Sequence, residues 1–397
     1  MDPIISIGID NCFALKRWVT PSEWARVIRE MGMRYVEGVA DLEIEPLLTP
    51  KVCHDQWIEE VNEQKAKHGV EVVMMYSNDS TYDTVGMAHP DSRIREHYVE
   101  NWFGEFMRIS GAIGADVGYF AHGVPEEILY NKTRYGQMQQ DVYHSMMRVG
   151  ELAKENGVKH VALEQMYTPH QPPFTIESIR RLMQQTLKDG NYPLYVTEDV
   201  GHHCPFYLRP TEETLVKGFA RYRKDGYIPL WLGSLEAQKL FIGEWKSGYS
   251  TLRKETIQAI LEDAAQNPHL FSEEKDNDCY QWLKELGCWS PVIHLQQTNG
   301  KSSGHAPFSP ETNEDGIIHP VKILRALKEA YDQPEDPTMP ARCDHIYLIQ
   351  ELYLSTKDIG YQGLYKLGWS TDYLRRFIPR DDMRLSELLE YNKHVTY

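Results

Sequence analysis

Four residues with ligand chemistry stand at the ends of apolar runs in the second half of the chain. Val158-Lys-His-Val-Ala-Leu runs into Glu164, Pro193-Leu-Tyr-Val-Thr-Glu into Asp199, Pro291-Val-Ile into His294, and Ile346-Tyr-Leu-Ile-Gln into Glu351. Two glutamates, an aspartate and an imidazole gathered at one point would repel one another unless a cation sat between them. Hard oxygen donors with a single nitrogen suit Mn²⁺, Mg²⁺, Co²⁺ or a labile Zn²⁺. Such a cation polarises a carbonyl and makes the hydrogen on the neighbouring carbon acidic. Two carboxylates on opposite faces of that carbon then serve as general base and general acid, and Glu164 and Glu351 are the pair expected to do so. Return of the proton from the opposite face inverts the centre, whereas return to the neighbouring carbon interconverts aldose and ketose.

For these residues to meet, the runs that carry them must be parallel strands with their C-terminal ends together. The chain supplies such runs in a regular rhythm. Strand-like segments at Ile4–Ile9, Arg34–Val39, Val70–Tyr76, Asp116–Ala121, Val158–Glu164, Pro193–Thr197, Pro291–Leu295 and Ile346–Leu352 alternate with amphipathic ones. Helices are expected from Pro21, over His54–His68, Ser92–Ile113, Gly136–Asn156, Ile176–Lys188 and Val321–Tyr331, with Gly32, Gly69, Gly114, Gly157 and Gly190 as stops. Eight strand–helix units are the count of a closed (β/α)₈ TIM barrel, with an open doubly wound sheet as the alternative that periodicity alone allows. Four ligand-type residues at four successive strand ends select the barrel, whose active sites lie at that mouth. A single barrel domain over residues 1–397 is expected. Within it, residues 204–288, helical and rich in Trp and Tyr, read as an inserted lid, and residues 370–397 as a C-terminal extension. Trp231, Trp245, Trp282 and Trp289 are read as core or contact residues of that inserted part.

Composition narrows the partners. The 397 residues carry 42 basic and 58 acidic side chains, a net charge of −16, so a long polyanion is repelled and no dense basic run offsets this. No run approaches the roughly 20 apolar residues of a membrane span. The six cysteines are scattered without a CxxC pair, which fits reduced thiols rather than a zinc site. A soluble cytoplasmic protein with a small-molecule substrate, no nucleic-acid or membrane partner and an open question of homo-oligomerisation is the expectation.

The strand-end pattern resembles the xylose isomerase-like superfamily of sugar isomerases and epimerases, nearest to its ketose 3-epimerases. Those have Glu after strand five, Asp-x-x-His after strand six, His after strand seven and Glu after strand eight. Here Glu164, Asp199 with His202, His294 and Glu351 match. The resemblance spans about 3–203 and 289–355, and omits 204–288 and the chain beyond about 370. It implies one divalent ion on Glu164, Asp199, His294 and Glu351, with His202 beside the substrate oxygens.

One position departs. The ketose 3-epimerases carry an arginine six residues past the strand-seven histidine, where this chain has Gly300. The run Thr298-Asn-Gly-Lys301-Ser-Ser-Gly-His305 offers Lys301, Ser302, Ser303 and the amides around Gly300 and Gly304 as a phosphate cradle instead, with His305 as a further substrate-binding candidate. Lys16 and Arg17 could meet the same anion from the opposite side. His122, Glu37 and Asp10-Asn11 are softer pocket candidates, and His203 is expected to point away from His202. A ketose or ketose phosphate, such as a tetrulose phosphate, is the substrate these features suggest. A sugar-acid or inositol-type dehydratase and a non-catalytic metal-stabilised barrel are the alternatives.

Overall fold

Each run of buried apolar residues has found a partner on both sides. The computed structural model describes residues 1–14, 17–77, 86–121, 123–190, 193–203 and 205–396. Eight parallel strands follow one another: β1 (Ile4–Asp10), β2 (Tyr35–Val39), β3 (Glu71–Tyr76), β4 (Asp116–Tyr119), β5 (Val161–Glu164), β6 (Leu194–Asp199), β7 (Val292–Leu295) and β8 (His345–Gln350). β1 pairs with both β2 and β8, which closes the ring as the (β/α)₈ count requires. A two-residue strand, β9 (Met383–Arg384), lies antiparallel against Ile4 and Ile5, along the stretch of β1 that β2 does not reach.

The register explains how four residues from four strands come to share one face. Glu164 is level with Thr197, two residues before Asp199. Asp199 is level with His294, and His294 with Ile349, two residues before Glu351. Residues two apart on a strand point the same way, so all four side chains project into the barrel.

Helices α1 (Pro21–Glu30), α2 (Lys51–His68), α3 (Gly104–Ile113), α4 (Lys132–Glu155), α5 (Ile176–Gly190), α6 (Cys279–Leu286), α7 (Pro320–Asp332) and α8 (Tyr361–Arg375) surround the strands. α1 opens on a capping box between Thr20 and Glu23. α2 and α3 stop at Gly69 and Gly114, both left-handed, where a side chain would be strained. The expected helix over Ser92–Ile113 is present without a break. Its pitch loosens to a π-turn over Tyr98–Phe103, where Tyr98, Trp102 and Phe103 pack ring against ring.

Between β6 and α6 the chain leaves the ring. Helices Glu212–Asp225, Leu235–Lys246 and Lys254–Gln266 gather a small core of their own, with Leu215, Phe219, Phe241, Ile257 and Ile260 at its centre. α6 returns to lie against β6, α5 and α7. No helix of the described residues is long and apolar enough to cross a membrane.

Candidate metal centre at the barrel mouth

Glu164, Asp199, His294 and Glu351 each place one ligand atom within 4.8 Å of the others, and all four are buried. His294 Nδ1 lies 3.5 Å from Glu164 Oε1 and 3.3 Å from Glu351 Oε2. Both oxygens of Glu164, Nδ1 of His294 and Oε2 of Glu351 are buried without a hydrogen-bond partner. Buried polar atoms are seldom left so, and several aimed at one point mark a place for an ion. Hard oxygens with one imidazole nitrogen, gathered in this way, would suit a divalent cation.

The surroundings orient these atoms. Glu37, from the middle of β2, meets Nε2 of His294 at 3.0 and 3.1 Å. That contact fixes the proton of His294 on Nε2 and turns the Nδ1 lone pair into the cluster, the usual way a carboxylate prepares a ligating histidine. The Tyr76 ring packs 5.1 Å from the same imidazole. Asp199 is held by three groups: Gly201 N–H on Oδ1 at 2.7 Å, and the Gln296 amide and His202 Nε2 on Oδ2 at 2.7 and 2.9 Å. His202 Nδ1 donates to the Gln165 carbonyl at 2.8 Å.

The titration of the site follows from its burial. Burial pushes the Glu164 carboxyl up to about 7, against the pull of His294. Burial would also raise Asp199, but the imidazoles of His202, His294 and His305 outweigh it and hold that carboxyl well below its ordinary range. Desolvation would lower His202, yet Asp199 lifts it to about 9. Asp10 and Glu37, also buried at the mouth, are raised chiefly by desolvation. Without a cation, protons collect where negative charge converges.

His202 and His305 both reach the site, their ligand-type atoms lying within 4.8 Å of Asp199 and of each other. His305 stands at φ 46°, stacked face to face on Tyr353 at 4.1 Å, with Nε2 3.7 Å from Glu351. Its loop is pinned by Gln296, whose Oε1 accepts the N–H groups of His305 and Gly304 at 2.7 and 3.2 Å. Gly201 makes room for that amide, since a Cβ there would sit 2.2 Å from it.

The expected amide cradle for a phosphate does not stand ready. The N–H groups of Gly300 and Lys301 already donate to Thr298 Oγ1 and Asn299 Oδ1, as those of Gly304 and His305 do to Gln296. Lys301 itself is exposed. Arg17 binds the carbonyls of Ser355 and Asp358 rather than facing an anion site. Lys16 and His122 lie outside the described residues. His203 turns away from the cluster toward Asp276 and Glu198, and Asn11 caps the Val39 N–H. Trp282 and Trp289 are buried with their N–H groups on the carbonyls of Asp276 and Pro340, so neither walls the mouth.

Two contributors carried less signal in the sequence than these four ligands. Glu37 reads only as a softer pocket candidate, although a carboxylate amid Tyr-Val-Glu-Gly-Val demands a buried partner. Gln296 reads as a strand-end amide like its neighbour Gln297.

Fold and site together define a parallel eight-stranded barrel with a carboxylate–imidazole cluster at its C-terminal mouth. The sequence profile of xylose isomerase-like TIM barrels matches residues 25–213. A candidate xylose isomerase from Rhodospirillum rubrum superposes with a TM-score of 0.65 at 16% identity, over 94% of this chain and 98% of that one. D-Psicose 3-epimerase with D-tagatose, from Clostridium cellulolyticum, superposes with a TM-score of 0.55 at 11% identity, over 93% and 98%. In sequence, 54 residues are 37% identical to D-erythrulose 1-phosphate 3-epimerase of Brucella abortus, a match spanning 14% of this chain and only 17% of that protein.

Proposed function

We propose that the protein is a divalent-metal-dependent epimerase or isomerase of a ketose or ketose phosphate, of the ketose 3-epimerase type. The observation that carries this reading is the set of unpartnered buried donor atoms on Glu164, His294 and Glu351, converging with Asp199 within 4.8 Å. These four residues hold about one Mn²⁺, Mg²⁺, Co²⁺ or Zn²⁺ per chain. When bound, the cation supplies Lewis acidity toward the carbonyl and adjacent hydroxyl of the sugar.

The remaining roles belong to the chain. Glu164 and Glu351, from β5 and β8, approach the sugar carbon from different sides. One removes its proton and the other keeps a proton for return to the opposite face. His202, anchored on Gln165 and Asp199, hydrogen-bonds the substrate oxygens, and His305 on its Tyr353 stack closes the facing wall. Glu37 keeps His294 in register throughout. Lys301 is assigned to substrate binding, as are Lys16 and His122, which lie outside the described residues. The helices within 204–288 form a lid over the mouth, and the reaction is placed in the cytoplasm.

The structural likeness to a ketose 3-epimerase and the short match to a tetrulose phosphate epimerase support this class of substrate. NMR of C4–C6 ketoses and their phosphates in D₂O with added Mn²⁺ tests it. Deuterium is expected at C3 for epimerisation or at C1 for isomerisation. An unsaturated product would establish a dehydratase instead, and no exchange on any sugar would sink the enzymatic reading.

A further inference from the structure

β5 has two faces. Glu164 turns into the barrel toward the metal centre, and its neighbour Leu163 turns outward. There Leu163 lines a cavity of about 610 Å³ between α4 and α5, with Val142, Met146 and Phe174 as further buried apolar lining. His269 and Phe271, just after the helix Lys254–Gln266, line it as well. A largely apolar cavity of this size falls within the roughly 300–1,000 Å³ of small-molecule sites. The thickness of the strand separates it from the carboxylate–imidazole cluster.

The lining points to a ligand. Tyr135 is 6% exposed and lines the cavity, yet its hydroxyl has no hydrogen-bond partner among the described residues. Burial alone pushes that phenol up to about 12. Enclosed phenols ordinarily find a partner, and the open space beside this one is the cavity. Gly136, also in the lining, stands inside α4, although glycine is among the poorest helix formers. A Cβ built there meets no atom within 4 Å, so the fold asks for no glycine and its missing side chain only widens the cavity.

The charge of the lining selects the kind of ligand. His269, lowered by burial, stays neutral, and its ring lies 4.2 Å from that of Tyr135. The charged side chains of the described lining are Lys132 and Arg181, both cations and both exposed, in a chain of net charge −16. Lys132 has no ion pair among the described residues, and Arg181 shares the exposed Glu177 at 3.2 Å. We propose that this cavity is a second binding site, separate from the metal centre, for a small organic anion with a flat apolar body. The body lies against Met146, Phe174 and the Tyr135–His269 pair, with the Tyr135 hydroxyl donating to one of its polar atoms. The anionic group meets Lys132 and Arg181 at the solvent edge.

Fluorescence titration of the full chain with anilinonaphthalene sulfonate, an aromatic anion, tests the proposal. One saturable site per chain is expected, with a Kd of about 100 μM or tighter. Gly136→Leu fills the cavity from an accessible helical position. Binding should fall about tenfold while circular dichroism and the thermal transition hold. Lys132→Glu combined with Arg181→Glu should weaken the sulfonate about fivefold and leave the neutral phenylnaphthylamine unchanged. No saturable binding, or binding that Gly136→Leu leaves intact, would overturn the site. Charge reversal that weakens both dyes equally, or neither, would overturn the anionic ligand and leave the cavity to a neutral one.

Discussion

The two ends of the barrel treat their charged side chains in opposite ways. At the end where the strands begin, every carboxylate of the network is answered. Asp382, itself at φ 59°, accepts from Tyr35 at 2.7 Å, Ser6 at 3.0 Å and Arg34 at 3.3 Å. Asp381 binds Arg375 through two nitrogens at 2.8 and 3.0 Å and the Ile7 N–H at 3.0 Å. At the mouth, Glu164, Glu351, His294 and Asp10 all keep a buried atom without a partner. The first end spends its polar groups on tying β1, β2, β8 and the segment after α8 together. The second withholds them, which destabilises the bare protein and is sensible only where a ligand completes the set.

Substitutions at the mouth should therefore remove function and those at the floor should remove stability. The largest effect is expected from His294→Ala, with bound metal lost by elemental analysis and turnover down about a thousandfold or more. Glu164→Gln and Glu351→Gln should cost on the order of 10²–10⁴ in turnover, leaving the thermal transition in place or raised. Next comes pH. Glu164 must lose its proton to bind a cation and does so near 7 in the bare protein, so metal affinity should climb through pH 7 and flatten above it. The same raised carboxyl lets the unfolded chain ionise first, so metal-free protein should lose stability as pH rises from about 4.5 to 7. Calorimetric titration across pH 5.5–8.5 with a flat response would break the contrast.

Gln296→Ala frees the His305 loop and one side of Asp199, and a loss of about 10–100-fold in kcat/KM or metal affinity is expected. Asp381→Asn should cost about 2 kcal/mol in chemical denaturation while kinetics and metal content stay unchanged. A drop in turnover there would blur the division between the ends. The smallest effect belongs to Lys301→Ala, whose exposed ammonium should alter KM for a phosphorylated ketose by less than about threefold.

What could be read from the chain follows from how local each signal is. Glu164, Asp199, His294 and Glu351 were legible because a polar residue ending an apolar strand breaks a strong pattern, and the alternating helices fix which end that is. The ring closure was legible as a count. The Glu37–His294 contact was not, since it joins residues 257 apart and no periodicity reports it. The amides of Gly300 and Gly304 looked available because the sequence does not show that Thr298 and Gln296 fold back onto them. The π-turn at Tyr98–Phe103 depends on how three rings share space against β4, which a helical repeat does not reveal.

Glu37 gives the molecule an unexpected division of labour. The would-be ligands all come from strands five to eight, yet the imidazole among them is aimed by a carboxylate from strand two. A fragment holding only the later strands would own every donor and still lack the aim. Cut into complementary halves, the chain should grip a cation firmly only when both pieces reassemble, so ion uptake would serve as a gauge of whether the ring has closed.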